Sequence, residues 1–151
     1  MKCVVSGSFR KFYPEIVTVI ETFENQGIKV LSPANSRIVN PGADFVILEA
    51  DQHLDICAIE RGHLAAIARA DFVYLYDPDG YIGNNTAFEI GYAWAIGKPI
   101  FALEFTGNSG LDCFIQEIGW PDAVAHHSLN LITLQPYFRQ ASASRRFRCD
   151  R

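Results

Sequence analysis

One carboxylate in this sequence lies where catalytic side chains are commonly found in α/β proteins. The apolar run Phe72 to Tyr76 predicts a buried strand, and Thr86 to Ile96 predicts a helix that follows it after a glycine-containing loop. Glu89 falls about one turn into this helix, among apolar neighbours. A carboxylate held there favours a function, and the chemistry we expect is nucleophilic attack on a sugar carbon. The alternative is a partly buried structural carboxylate that hydrogen-bonds to a loop.

The loop before this helix is a candidate for binding a substrate. Asp79-Gly80 is typical of a turn, and Gly83 allows a close approach of the backbone to a ligand. Asn84 or Asn85 can cap the helix. Open parallel sheets bind their ligands beyond the carboxyl ends of the strands, where this loop lies. We therefore expect substrate contacts from Asp79, Gly80, Tyr81, Gly83 and Asn84.

A second loop, after the predicted first strand, has the composition of an anion site. Its small residues let backbone amides approach a ligand, and its serines add hydroxyl groups. Arg10 adds a donor that can bind phosphate or carboxylate through two parallel hydrogen bonds. The alternative is a plain strand-to-helix turn with a surface arginine. The candidate substrate contacts here are Ser6, Gly7, Ser8, Phe9 and Arg10.

His63 is the remaining candidate for catalysis. It falls on the apolar face of a predicted helix, together with Ile56, Ile59 and Ile67. A histidine on such a face is either a hydrogen-bonded core residue or a catalyst. We expect its neighbours Glu60 and Arg61 to face solvent or to form ion pairs. No metal site is predicted, because the cysteines are scattered and the adjacent pair His126-His127 has no further ligands nearby.

Strands and helices alternate along the chain, which predicts a single α/β domain. A mainly parallel sheet covered on both faces follows from this alternation. The predicted strands are Cys3 to Val5, Ile28 to Leu31, Phe72 to Tyr76, Pro99 to Leu103, and either Ala123 to Ala125 or Leu129 to Leu134. The predicted helices begin near Pro14, after Asp51 to Asp55, at Thr86 and at Leu111, and the last ends at Ile118.

Composition excludes several function classes. A formal net charge of −4 over 151 residues gives no broad basic surface for nucleic acid. No apolar run is long enough to cross a bilayer, and no signal-peptide pattern precedes the first strand, so we expect a cytoplasmic protein without a membrane partner. Residues 1–140 form the predicted domain. Residues 141–151 carry four arginines and little apolar content, and they predict a flexible basic tail.

Five segments resemble, in order, a known family. They are Ser6 to Arg10, Ala70 to Tyr74, Gly80 to Gly83, Glu89 to Ala93 and Gly97 to Ile100. Together they resemble the nucleoside 2-deoxyribosyltransferase superfamily, which includes deoxynucleoside-monophosphate N-glycosidases. The resemblance extends from the first strand to the fourth, and its most specific part is Glu-Ile-Gly-Tyr-Ala with the following Gly-Lys-Pro.

The resemblance implies both a fold and a reaction. The fold would be a flavodoxin-like (Rossmann-like) three-layer sandwich with a mainly parallel five-stranded sheet. Glu89 would attack the anomeric carbon of a nucleoside or nucleoside 5′-monophosphate and form a covalent glycosyl-enzyme as the base leaves. Water would complete hydrolysis, and a second base would complete transfer. No cofactor is implied, and family members commonly form homodimers or larger homo-oligomers.

The sequence departs from the family pattern at two positions. The family usually has an aspartate eight residues before the aspartate matched by Asp71, where this chain has His63. It also tends to have aspartate or serine six residues before the nucleophile, where this chain has Gly83. His63 either replaces the acid, since imidazole transfers protons near neutral pH, or marks a different substrate or a lost activity.

Two rival functions accompany the enzyme hypothesis. One is a non-catalytic nucleotide-binding or sensor module, and the altered positions favour it. The other is a structural partner protein that uses the same sheet, with Glu89 bound to backbone amides. Within the enzyme hypothesis, the loop Ser6 to Arg10 favours a 5′-phosphorylated substrate, because this loop is more similar to that of the monophosphate hydrolases.

Overall fold

A parallel five-stranded sheet organises the chain. The computed structural model describes residues 1–126. The strands are β1 (Lys2–Gly7), β2 (Lys29–Val30), β3 (Phe72–Tyr76), β4 (Ile100–Ala102) and β5 (Glu117–Ile118). Every neighbouring pair is parallel, and the order β2-β1-β3-β4-β5 is that of flavodoxin-like folds. The sequence-based prediction of the fold class is confirmed.

Helices cover both faces of this sheet. They are α1 (Phe9–Asn25), α2 (Ile56–Arg69), α3 (Asn84–Ala95) and the short α4 (Ser109–Asp112), with single 3-10 turns at Glu49–Asp51 and Pro78–Gly80. Residues 121–126 are also helical. Because side chains alternate along a strand, β3 supplies Phe72 and Tyr74 to one face and Val73 and Leu75 to the other. These continuous apolar runs are what parallel strands buried on both faces require.

The two faces bury different side chains. On one face α1 packs Phe23 against Tyr74 and Phe72, with ring centroids 5.1 and 5.7 Å apart. On the other face α2 and α3 pack Ile67 and Ile90 against the aliphatic side chains of the sheet. The two helices on this second face run side by side, so they present their first turns at the same edge of the sheet.

Helix α1 begins earlier than Pro14, the predicted start. It begins at Phe9, and Phe12 has non-helical dihedral angles (φ −130°, ψ 25°). A proline inside a helix clashes with the carbonyl of the residue four positions earlier, here Arg10. The break at Phe12 relieves this clash. Pro14 therefore stands in the first turn of the second helical segment.

The strand that follows β4 in the sheet lies outside both predicted positions, and of these the alternative Ala123 to Ala125 was wrong. Glu117–Ile118 pairs with Phe101 and Ala102, within the segment predicted as the end of a helix. Two residues are too short to show a strand pattern, so the sequence carries no signal for them. The alternative Ala123 to Ala125 is helical, and its buried Val124 and Ala125 join the α1 face of the core. Residues 127–151, with the other alternative strand and the predicted basic tail, lie outside the described residues.

A long connection between β2 and α2 lies at the carboxyl edge of the sheet. This covering loop, residues 31–55, contains a cis Ser32-Pro33 peptide and an antiparallel bridge between Ile38 and Leu48. It ends at Asp55, whose Oδ1 accepts a hydrogen bond of 2.7 Å from the amide of Ala58. Asp55 thus caps α2, as the predicted helix start near this residue implies.

Among the helices of residues 1–126, none is long and apolar enough to cross a membrane.

Candidate active site

A cleft of about 570 Å³ opens at the carboxyl edge of the sheet. The β1–α1 loop, the covering loop, the β3–α3 loop and the first turns of α2 and α3 enclose it. The predicted residues that line it are Gly7, Ser8, Phe9, Arg10, His63, Tyr81, Gly83, Asn84 and Glu89. Residues from four separate parts of the sequence therefore share one cavity.

Three predicted residues do not line the cleft. Ser6 is fully buried beneath it and contacts His63 from below. Asp79 and Gly80 both have positive φ, and a Cβ at Gly80 would lie 2.8 Å from the carbonyl oxygen of Phe105. Gly80 therefore shapes the β3–α3 loop against a neighbouring segment. Gly7 has a similar restriction, because a Cβ there would lie 2.6 Å from the carbonyl oxygen of Tyr76.

Glu89 lies at the bottom of the cleft in the second turn of α3. It is only 7 % exposed, and its Oε2 lies 3.4 Å from Nε2 of His63. The residue at the N-cap position of α3 is Gly83, and no side chain makes a capping hydrogen bond there. The predicted cap by Asn84 or Asn85 was therefore wrong, since both belong to the first turn. This start places Glu89 one turn below the end of the helix and away from solvent.

His63 is fixed from both sides of its ring. Nδ1 lies 2.7 Å from Oγ of Ser32, and Nε2 lies 3.3 Å from Oγ of Ser6 as well as close to Glu89. Ser32 continues β2 beside β1, because its carbonyl accepts a hydrogen bond of 2.9 Å from the amide of Val5. The ends of two neighbouring strands thus hold one imidazole against the carboxylate. We call Ser6, Ser32, His63 and Glu89 the floor of the cleft.

Besides Ser32, sequence reasoning missed Glu60 and Asn85 as polar side chains of the site. Both line the cleft, and Nδ2 of Asn85 donates a hydrogen bond of 2.7 Å to Oε1 of Glu60. Burial, and then the nearby charge of Glu89, raise the pKa of the Glu60 carboxyl above its usual value. Glu60, predicted to face solvent or to form an ion pair, is partly buried and hydrogen-bonds to an amide side chain. One sequence feature could have identified Glu60 as a site residue. It lies three residues before His63, and this spacing places both side chains on one side of a helix.

A second pair of charged side chains in the cleft lining is more exposed. Nη1 of Arg10 lies 2.8 Å from Oδ1 of Asp44 in the covering loop. The Arg10 side chain is about half exposed, and that of Asp44 is fully exposed. We call this pair the rim of the cleft. Nearby, Nζ of Lys11 lies 3.2 Å from the centre of the Tyr81 ring, so α1 also contacts the β3–α3 loop.

A comparison with protein families identifies the group to which this sequence belongs. The model of the family described as nucleoside 2-deoxyribosyltransferase matches residues 12–127. The chain belongs to the nucleoside 2-deoxyribosyltransferase family. At the level of the family, this membership indicates an enzyme of the nucleoside or nucleotide glycosidic bond. No curated protein sequence matches the chain.

Solved structures agree with this family in fold. A CMP N-glycosidase from Clostridium botulinum, BcmB, is 17 % identical and superimposes with a TM-score of 0.53 over 78 % of this chain and 85 % of its own. A conserved protein from Enterococcus faecalis V583 is 13 % identical, with a TM-score of 0.60 over 86 % of this chain and 98 % of its own. At such identities the similarity establishes the shared fold.

One further buried acid lies outside the cleft of this family member. Asp77 is 1 % exposed at the end of β3, and its Oδ1 accepts hydrogen bonds from the amides of Leu103 and Glu104, at 3.1 and 3.2 Å. Burial raises the pKa of Asp77 to about 7, although these hydrogen bonds favour the charged form. Asp77 joins the ends of β3 and β4 and so fixes the start of the loop that carries Tyr81.

Proposed function

We propose that this protein cleaves or exchanges the N-glycosidic bond of a nucleoside or nucleoside 5′-monophosphate through a covalent glycosyl-Glu89 intermediate. One observation carries the proposal: the nearly buried carboxylate of Glu89 lies at the bottom of a cleft, with an oriented imidazole 3.4 Å away. Family membership supports the bond that is attacked. The enzyme would act in the cytoplasm as a homodimer or higher homo-oligomer.

The reaction has two steps in this proposal. A carboxylate oxygen of Glu89 attacks the anomeric carbon, and the bonding electrons leave with the base. Water then attacks the same carbon and releases the sugar, or a second base attacks and forms a new nucleoside. His63 contacts the nucleophile in both steps, and Ser32 and Ser6 hold its ring in place.

The position of Glu89 suits the attack for an electrostatic reason. A carboxylate in water is strongly hydrated, and this hydration must be removed before it can reach carbon. Burial at the floor has already removed most of the water, and the contact with His63 replaces part of it. The carboxylate therefore reaches the reacting carbon without first losing a full hydration shell.

The rim supports a 5′-phosphorylated substrate. Arg10 and Ser8 line the cleft at the start of α1, where unpaired backbone amides favour an anion. A guanidinium adds two donors for phosphate oxygens. In the proposed binding mode, the phosphate of the substrate contacts Arg10 at the rim, and the sugar lies next to Glu89. A BcmB-like activity on a nucleotide fits this arrangement.

A panel of nucleosides and their 5′-monophosphates tests the proposal. The protein is incubated with each compound, and free base is measured by mass spectrometry, with and without a second base to detect transfer. Intact-protein mass spectrometry after rapid acid quenching should show an added glycosyl mass that maps to Glu89. Binding of a nucleotide without release of any base would favour the sensor module instead. Neither binding nor base release would favour the structural partner.

A further inference from the structure

We propose that Glu60 exchanges the proton with the leaving base, as the second catalytic carboxylate of the site. This inference rests on the proposed function, because it assigns a group to the same reaction. Glu60 is not the family's aspartate position, which His63 occupies, and it lies one helical turn earlier on α2. Three observations support it. They are the placement of α2 beside α3, the surroundings of the Glu60 carboxyl group, and the contacts that both ring nitrogens of His63 already make.

Two polar contacts connect α2 and α3 at neighbouring levels. Asn85 contacts Glu60 at 2.7 Å, and one turn deeper Glu89 contacts His63 at 3.4 Å. Since a helix rises about 1.5 Å per residue, the three- and four-residue spacings place these levels roughly 5 Å apart. Both helices begin at the open edge of the sheet, so Glu60 lies on the side from which a base would leave. This offset along the helix axes is compatible with the separation of about 5 Å between the two carboxyl groups of glycosidases that act through a covalent intermediate.

The surroundings of Glu60 favour the protonated form of its carboxyl group. Partial burial raises the pKa of Glu60, and the charge of Glu89 raises it further. The groups that oppose this rise are His63 and the amide of Asn85. The other charged groups that line the cleft are Arg10, Asp44, Asp51 and Arg69. A carboxyl group with a raised pKa is suited to donate the proton that glycoside cleavage needs.

His63 is less available for this proton transfer. Its Nδ1 faces Ser32 and its Nε2 faces Ser6 and Glu89, so protein groups occupy both nitrogens. It is also only 9 % exposed. Glu60 has one hydrogen bond among the described contacts, from a side chain at the exposed start of α3. Glu60 can therefore present a carboxyl oxygen to a substrate. Both ring nitrogens of His63, in contrast, already contact other side chains of the floor.

The proton balance of the reaction closes with these two residues. As Glu89 forms its bond to the anomeric carbon, the bond to the base breaks, and the Glu60 acid donates its proton to the base. Glu60 is then a carboxylate. In the second step it removes a proton from the attacking water, the bond between the sugar and Glu89 breaks, and both residues return to their starting states. For transfer, the incoming base takes the place of water.

The test compares two leaving groups in wild type and Glu60→Gln. Release of the natural base needs a proton, and a glycoside of the same sugar that releases 4-nitrophenolate does not. We expect Glu60→Gln to lose about a hundredfold or more on the natural substrate and less than about fivefold on the nitrophenyl glycoside. Glu21→Gln, the same change at an exposed site on α1, should match wild type on both.

The pH profile gives an independent readout. The wild-type rate should fall as the pH rises through the pKa of Glu60, and this fall should be absent from Glu60→Gln. Asn85→Ala keeps the carboxyl group but removes a hydrogen bond that favours its charged form, so the fall in rate should move to higher pH. This second variant also covers the case in which Glu60→Gln does not fold.

Three results would overturn the inference in distinguishable ways. Equal activity of wild type and Glu60→Gln on the natural base would remove Glu60 from catalysis and leave Glu89 untouched. Equal losses on both leaving groups, with an unchanged pH profile, would assign Glu60 a structural role. A wild-type protein that releases no base from any compound would overturn the proposed function together with this inference.

Discussion

The floor and the rim of the cleft differ in burial and in how their side chains are held. At the floor, Glu89 and His63 are nearly buried, and two serines from neighbouring strands hold the imidazole. At the rim, Arg10 pairs with a fully exposed Asp44 on a long irregular loop. The floor is therefore organised without a ligand, whereas under the proposed function Arg10 would exchange Asp44 for a phosphate.

This difference implies different responses to mutation. Polar interactions in a buried site are strong and hardly screened, so loss of one floor residue should impair the chemical step on every substrate. Interactions at an exposed rim are weakened by water and by salt, so loss of a rim residue should affect binding of the phosphate alone. Comparison of a nucleoside with its 5′-monophosphate separates the two.

The largest effect should follow from Glu89→Gln. The amide keeps the shape of the side chain but cannot form the glycosyl ester, so kcat should fall by at least about a thousandfold on nucleoside and nucleotide alike. Steady-state assays of base release and a thermal unfolding curve measure this. Near-normal activity of a folded Glu89→Gln protein would refute the covalent mechanism.

Removal of the Ser32 hydroxyl should impair the same chemical step by a smaller factor. Ser32→Ala takes away the partner of Nδ1 of His63 and leaves the imidazole less firmly oriented. Loss of one such hydrogen bond corresponds to about a fivefold to tenfold drop in kcat, again equal on both substrates. Ser32→Thr keeps the hydroxyl and should recover most of the rate. If Ser32→Ala raised KM for the monophosphate alone, the floor would extend to the phosphate.

The sequence predicts the floor only in part. The two helical faces that carry His63 and Glu89 follow from apolar periodicity, and so does the buried strand that leads to the second of them. Their contact with Ser32 does not, because Ser32 is 31 residues from His63 and its position depends on how β2 pairs with β1. The contact of Glu60 with Asn85 was missed for a similar reason, since the rotation of α2 against α3 is a tertiary property.

The rim is still less predictable. Arg10 was expected to bind an anion from its side-chain chemistry, and its structural partner lies 34 residues away in the irregular covering loop. No periodicity marks such a loop, so the pairing of Arg10 with Asp44 has no local signal. Similarly, β5 consists of two residues at the sheet edge, and its pairing with β4 sets its position.

Arg10→Ala should separate rim from floor. Loss of a charged, two-donor contact should raise KM for the monophosphate at least about tenfold, and the nucleoside should hardly be affected. Arg10→Lys should recover only part of the affinity, because an ammonium cannot match two phosphate oxygens at once. The difference between wild type and Arg10→Ala should shrink as ionic strength rises. Equal losses on both substrates would contradict the phosphate contact and favour a nucleoside substrate.

The smallest effect, and the only expected gain, concerns Asp44. Its carboxylate holds the guanidinium that a phosphate would take, so the two anions compete for Arg10. Asp44→Asn removes the competing charge and should lower KM for the monophosphate by about twofold to threefold, as an exposed ion pair allows. The nucleoside should show no change, and neither should the double variant with Arg10→Ala compared with Arg10→Ala alone.

The covering loop contains a matched control for this substitution. Glu49 pairs with Arg37 at the same N–O distance of 2.8 Å, also at an exposed position, but neither residue lines the cleft. Glu49→Gln removes the same charge from the same loop and should leave both KM values unchanged. Weaker binding of the monophosphate by Asp44→Asn would reverse the interpretation. Asp44 would then hold Arg10 in position for the phosphate, and the rim would be organised in advance as the floor is.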